Sequence, residues 1–265
     1  MDIKFSIIIP TLNSQSTLKN CLRSIINQFY KNWEIIIIDA SKGNICKNIC
    51  DQFNLGKKLV YLRSNVKKGL AYDRFLGIQK ASGDFISFLD SDDVWMKKKL
   101  YNQYKLIKKK KSKFLCSNYK LKIGKNFYYN REELEYFDLN YLFKNRPISN
   151  SSITVDVNII KKVSSQFYKD IMAEDLLWWT IILRSHTRRC YVVKSCDVQN
   201  ILTFSSRSKM YIKNYLSVIQ IYRFYHKMNY LKVFFYFSCL ILTTFTKNFF
   251  KFKNFYEKKN IFFYR

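Results

Sequence analysis

Four consecutive isoleucines, Ile35 to Ile38, follow Glu34 and run straight into Asp39. A strand with one wet face alternates apolar and polar residues. An unbroken apolar run needs cover on both faces, which is the condition of a parallel sheet. Related short apolar runs occur at 5–9, 59–62 and 85–89. Between them the period changes from strand to helix. Leu18, Cys21, Leu22, Ile25, Ile26 and Phe29 share one helix face, and Ile45, Ile49 and Phe53 offer a shorter one. Residues 70–80 make a third helix, bounded by Gly69 and Gly83. Pro10 is expected to stop the first strand, and Ser14, Ser16 or Thr17 to cap the first helix. Strand and helix in strict alternation predict an α/β fold with a mostly parallel central sheet and right-handed crossovers.

Such sheets bind ligands beyond the carboxyl ends of their strands. Three strands end there in polar signals: Pro10, Thr11 and Asn13 after the first, Asp39 after the second, and Asp90-Ser91-Asp92-Asp93 after the fourth. Three carboxylates within four positions repel one another and are costly to desolvate. A hard divalent ion with open positions for phosphate oxygens would answer both problems. The plainer reading is an acidic turn that caps a helix starting near Val94. The convergence of three polar strand ends favours a catalytic or nucleotide-binding cleft.

The chain has 265 residues, 48% of them hydrophobic, enough for a sizeable core. Cys21, Cys46, Cys50, Cys116, Cys190, Cys196 and Cys239 form no CxxC pair, and nothing like a signal peptide precedes the first strand. Zinc at Cys46 and Cys50 is not expected, because the chain has only two histidines and neither is near. Reduced thiols in a cytoplasmic protein are the expectation. A net charge of +28 with 18% aromatics calls for an anionic partner: nucleic acid, anionic lipid or a phosphorylated substrate. An AT-rich coding sequence would also enrich Lys, Asn, Ile, Phe and Tyr, so charge alone is not read as function.

All six glycines lie at or before Gly124. Residues 97–113 read as a helix with a lysine-rich end, 114–130 as short strands joined through Gly124, and 131–146 as helical turns. Glu174 and Asp175 open an apolar helix containing Trp178 and Trp179. They either complement the helix dipole or project a general base into the cleft. Beyond residue 205 the only acid is Glu257. Tyr211, Tyr215, Val218, Tyr222 and Tyr225 mark one helix face, and fourteen uncharged residues separate Lys232 from Lys247. That falls short of the about 20 needed to span a bilayer. Phe249, Phe250, Phe252, Phe255 and Tyr256 then interleave with Lys251, Lys253, Lys258 and Lys259. This pattern suits an interfacial helix on anionic lipid, or a terminal helix packed on the domain or on a second subunit as a homodimer.

Taken in order, these motifs resemble a family 2 glycosyltransferase of the GT-A fold, of the bacterial surface-polysaccharide type. Residues 6–13 resemble its opening strand and nucleotide loop, and 33–41 its second strand. Asn65, Gly69, Arg74, Gly77, Ala81, Gly83 and Asp84 follow its Asn-x-Gly and Ala-Arg-Asn-x-Gly elements. Residues 85–93 resemble its Asp-x-Asp strand, and Glu174-Asp175 its later acidic pair. The resemblance covers roughly 4–205, with 1–100 as the nucleotide-sugar half, 101–205 as the acceptor half and 206–265 as a basic aromatic tail. It implies a nucleotide-diphosphate sugar donor, UDP-linked by preference, and Mg²⁺ or Mn²⁺. Asp39 would contact the nucleobase, while Pro10, Thr11, Asn13, Arg74 and Ser91 would line the donor pocket. Asp90 would face ribose or metal, Asp92 would ligate the metal, and Asp175 would be the base. Ala40 replaces a frequent second Asp, and Phe75 the usual Asn after Arg74.

The expected activity is inverting transfer of a hexose or N-acetylhexosamine to a lipid-linked glycan, lipopolysaccharide, O-antigen or capsule precursor. The expected location is the cytoplasmic face of the membrane, with the protein peripheral. Two rival readings are a basic nucleic-acid-binding protein and a degenerate transferase-like assembly partner. The first leaves the carboxylate rim unexplained, because without a metal it would repel phosphate. No nucleic-acid partner is therefore expected.

Overall fold

A computed structural model describes residues 2–65, 68–166, 173–202 and 211–244. The first hundred residues give β1 (Phe5–Thr11), α1 (Leu18–Ile26), β2 (Trp33–Asp39), α2 (Ile45–Asp51), β3 (Leu59–Arg63), α3 (Gly69–Lys80), β4 (Phe85–Phe88) and β5 (Val94–Trp95). Then come α4 (Lys99–Lys110), β6 (Phe114–Ile123), β7 (Asn126–Asn130), β8 (Tyr136–Phe137), α5 (Leu139–Asn145), β9 (Thr154–Asp156) and α6 (Val157–Gln166). The remaining elements are α7 (Glu174–Ile182), β10 (Cys190–Leu202), α8 (Tyr211–Gln220) and a helix over 230–244, α9.

One sheet runs in the order β3-β2-β1-β4-β9-β6-β10-β5, with β7 beside β6 and β8 beside β10. The first four strands are parallel, as their continuous apolar runs require. β9 is antiparallel to both β4 and β6, so the sheet is mixed beyond the nucleotide half. On one face α1, α2 and α4 cover Ile7, Ile9, Ile35 and Ile37; on the other, Ile8, Ile36 and Ile38 meet α3 and the later helices. Alternate isoleucines of one run therefore enter two different cores. Gly77 makes the second layer close: a Cβ there would lie 2.6 Å from Ile38 Cδ1 and 2.7 Å from Ile8 Cγ2.

Several local expectations are corrected. β1 continues through Pro10, which keeps register with Ile38, so the missing N–H does not end the strand. Phe29 lies beyond α1 and is exposed. α2 buries Cys46 and Cys50 and leaves Ile45 in solvent, although Ile49 and Phe53 do pack. No helix starts at Val94, which belongs to β5. The expected helical turns at 131–146 contain β8 as well as α5, and β10 had no counterpart in the sequence reading. The Gly124 hairpin forms as expected between β6 and β7. The aromatic–lysine segment 249–259 lies outside the described residues.

At the amino ends of the strands, Glu34 gathers the chain. It accepts from Ser6 Oγ at 2.6 Å, Lys4 Nζ at 2.8 Å, Ser82 Oγ at 2.7 Å and Ser82 N at 2.8 Å. Burial alone would raise its pKa, but bonds from Lys4, Ser6 and Ser82 outweigh it and hold the carboxyl at about 2, against an ordinary 4.5. Its stabilising contribution is therefore complete above the unfolded value and is lost as pH falls through the folded one. Glu34→Gln is expected to cost about 1–3 kcal/mol at neutral pH. It should also flatten the stability loss between the two pKa values, as read from urea midpoints across a pH series.

Candidate active site

Parallel pairing brings the ends of β1 and β2 level, with Thr11 opposite Asp39. Asp39 is fully buried. Its Oδ1 accepts from Thr11 Oγ1 at 3.0 Å and Ser41 N at 2.9 Å; its Oδ2 accepts from the Tyr61 hydroxyl and from Arg63 Nη1 at 3.0 Å. A carboxylate offers about four acceptor sites, and protein donors occupy them here. Burial pushes the Asp39 pKa up, but the bonds from Ser41, Tyr61 and Thr11 outweigh it and the net shift is downward. Arg63 continues outward, donating to Ser41 O at 3.0 Å and Asn44 Oδ1 at 2.7 Å. Across the loop, Asn13 adopts φ 53° and donates its N–H to Ser41 Oγ at 2.7 Å. Pro10 stays buried within β1.

The acid turn leaves β4 beside β1. Ser91 is buried and shares a 2.6 Å hydrogen bond with Ser14. Asp90 accepts Arg74 Nη2 at 2.7 Å, and Arg74 Nη1 pairs with Glu174. The Arg74 side chain is 4% exposed and that of Glu174 3%. With its amide oxygen turned toward the guanidinium, Asn150 accepts from Nη2 at 3.0 Å and Nε at 3.3 Å. Burial disfavours the charge on Arg74, yet Asp90, Glu174 and Asp175 together outweigh it and raise its pKa. Arg74, expected to line the donor pocket, joins α3, the acid turn and α7.

Asp92 and Asp93 part company. Asp93 is buried and accepts from Ser151 Oγ at 2.5 Å, Asn200 Nδ2 at 2.7 Å and Ile201 N at 3.1 Å. It ties the turn to β10 rather than capping a helix. Ser151 also accepts the Asp90 N–H at 3.0 Å, and its carbonyl takes Trp95 Nε1 at 2.8 Å. Burial, then the charge of Asp90, pushes the Asp93 pKa well up. Asp92 is half-buried, and its pKa is also raised by burial and by Asp90. Among the described residues its carboxylate has no side-chain partner.

The second acidic pair is divided in the same way. Glu174 points inward to Arg74, while Asp175 is half-buried and accepts the Leu176 N–H at 2.7 Å. Behind them Trp179 packs on Phe88 at 5.5 Å and Phe114 at 5.6 Å, and Trp178 on Phe88 at 6.4 Å. These rings fix α7 on β4 and β6, so the start of the helix stays at the rim. Tyr61, Arg63, Ser151, Asn200 and the inward role of Glu174 were not anticipated. For the first two a signal existed, because they alternate on β3, whose last three registers face Ile37, Ile38 and Asp39.

The donor set suits a hard divalent cation. Burial and the neighbouring charge of Asp90 raise the Asp92 pKa, and among the described residues Asp92 has no side-chain partner. No group of three or more His, Cys, Asp or Glu ligands occurs among the described residues. Water and phosphate oxygens would therefore complete the coordination, as is usual for Mg²⁺.

The sequence profile described as glycosyl transferase family 2 matches residues 6–166. Two Escherichia coli relatives, WfgD and WfaP, are both named UDP-Glc:alpha-D-GlcNAc-diphosphoundecaprenol beta-1,3-glucosyltransferase. WfgD is 28% identical over 185 residues, 70% of this chain and 72% of the relative. WfaP is 32% identical over 180 residues, 67% of this chain and 69% of the relative. S. aureus TarS 1–349 superposes with a TM-score of 0.68 at 18% identity, over 92% of this chain and 72% of that one. Its likeness shows the fold, that of the GT-A glycosyltransferases. The profile runs from β1 through the acid turn to the end of α6, the part of the sheet that builds the rim, and on that match the chain belongs to glycosyl transferase family 2.

Proposed function

We propose that this protein transfers one hexose or N-acetylhexosamine, with inversion, from a nucleotide-diphosphate sugar to a hydroxyl of a lipid-linked glycan of a surface-polysaccharide pathway. The observation that carries the reading is that Arg74 bonds both Asp90 and Glu174, the close chain neighbours of Asp92 and Asp175, while Asp92 has no side-chain partner among the described residues. The names of WfgD and WfaP support a UDP-linked donor and an undecaprenyl-diphosphate acceptor. Such an acceptor sets the reaction at the cytoplasmic face of the membrane, with the enzyme peripheral to it. The nucleic-acid-binding and degenerate-partner readings gain no support from the family assignment.

Asp92 with Asp90 would hold Mg²⁺ or Mn²⁺, which when bound supplies Lewis-acid neutralisation of the diphosphate leaving group. Thr11, Asn13 and Ser91, with Pro10 behind them, form the donor side of the pocket, and Asp39 fixes their loop from beneath. Asp175 takes the proton of the acceptor hydroxyl. The acceptor oxygen bonds to the anomeric carbon as the bond from that carbon to the diphosphate oxygen breaks, and its electron pair leaves with the nucleotide. Attack from the side opposite the leaving group inverts the anomeric centre. Arg74 keeps its own charge, holding one oxygen of Asp90 and turning Glu174 away from the acceptor.

Asp92→Asn is expected to lower donor hydrolysis and transfer by about 100-fold or more, the scale seen when one electrostatic stabiliser of a leaving charge is removed. Near-normal turnover at saturating Mn²⁺ would argue that the metal does not sit there. Asp175→Asn should lose about 100- to 10,000-fold in transfer, the range for a general base. Donor affinity, read by calorimetry, should stay within about threefold. Lost donor binding in that variant would instead assign Asp175 to the structure of the pocket.

A further inference from the structure

The helix α9, over 230–244, is apolar on two opposite faces. Inward, Val233 and Leu240 enter the main core, Tyr236 donates its hydroxyl to Asn140 Oδ1 at 2.9 Å, and Thr243 Oγ1 donates to the Lys144 carbonyl at 3.2 Å. These positions follow the helical repeat and dock α9 on α5. Outward, Leu231 is 80% exposed, Phe234 73% and Leu242 63%, with Phe235 and Ile241 between them. Phe224, 75% exposed, belongs to the turn that follows α8. A surface helix turns polar residues to water, and single exposed apolar side chains need no explanation. A stripe of five along one helix does.

Charge decides what covers it. Between Asp197 and Glu257 the chain has no Asp or Glu. Lys227 and Lys232 are exposed beside the stripe, Lys144 Nζ lies 5.3 Å from the Phe235 ring, and the Arg223 guanidinium lies 4.0 Å from the Tyr230 ring. A second copy would bring this cationic rim against its own like. An anionic lipid surface would neutralise it and accept the aromatics at headgroup depth. No helix of the described residues is long and apolar enough to cross a membrane.

We propose that the outward face of α9 docks on the surface of an anionic phospholipid bilayer, lying in the interface plane with Lys144, Lys227 and Lys232 among the headgroups. The inference deepens the proposed function only in naming how the enzyme meets the membrane that holds its acceptor. Lipid binding and donor chemistry can fail separately.

The test uses the full chain and vesicles of phosphatidylglycerol or of phosphatidylcholine, read by co-sedimentation. The protein should partition at least about tenfold better onto phosphatidylglycerol, and the preference should shrink at high salt. Leu231→Ser/Phe234→Ser/Leu242→Ser should lose about tenfold or more of that binding, because the buried apolar area goes. Its donor hydrolysis in solution should match the parent, which reports an intact fold and site. In case the triple variant does not fold, Phe234→Trp supplies a second reading: brominated lipid should quench its fluorescence beyond the background of the parent. Undiminished vesicle binding by the triple variant, equal binding to both lipids, or absent quenching each overturns the proposal. So does a parent dimer in solution that the triple variant converts to monomer, because a second copy would then be the cover. Absent donor hydrolysis in every variant, with vesicle binding intact, would fault the proposed function and leave the docking face standing.

Discussion

A single buried guanidinium holds the rim together. Arg74 sits on α3, yet its two Nη atoms bond carboxylates from the end of β4 and the start of α7, sixteen and one hundred residues away. An unpaired charge at that depth would be costly enough to unfold a marginal domain. The reverse also holds: Asp90 and Glu174 could not share one pocket without a cation between them. Neither the guanidinium nor its pair of carboxylates is stable in this geometry without the other, so the acid turn and the start of α7 are locked in one arrangement. Asp93 adds a second tie by bonding Ser151, Asn200 and the Ile201 N–H from the opposite side. Between half-buried Asp90 and buried Asp93, Asp92 has no side-chain partner among the described residues.

The same division of labour explains what the sequence could and could not convey. The isoleucine runs and the helical periods are local signals, and four parallel strands with their crossovers were legible from them. The acid turn was legible as a cluster, but its four residues carry no mark of which is buried. Asp93 resembles a helix cap until β10 arrives to bond it, and β10 begins almost a hundred residues later. The Arg74–Glu174 contact is equally invisible, because pairing across the fold leaves no periodicity. Pro10 misled for a different reason. Proline removes one donor, and a strand flanked by two others can lose one without ending.

Asp39 shows how fully a strand-end carboxylate can be occupied by its own surroundings. It ends β2 level with Thr11, on the expected rim, but four donors fill its acceptor sites and no surface remains. Its charge works inward, holding Tyr61, Arg63 and the Ser41 loop. Ala40, the next residue, has no polar side chain to offer a nucleobase. Of the neighbours of this hub Arg63 is the most exposed, its side chain 40% accessible. A guanidinium only donates hydrogen bonds, so what it can hold differs from what a carboxylate can.

The net charge of +28 coexists with a local acidic rim. The carboxylates that matter are gathered behind Arg74, while the lysines lie outward along α4 and around α9. A positive net charge favours anionic partners at long range, whereas a local cluster of carboxylates favours a cation. The two regions are also joined mechanically. Leu176, Leu177 and Trp178 of α7 belong to the same core as Tyr222, Val233 and Leu240 beneath α9. Close-packed interiors transmit position, so the height of Asp175 above any surface on which α9 rests is set by that core.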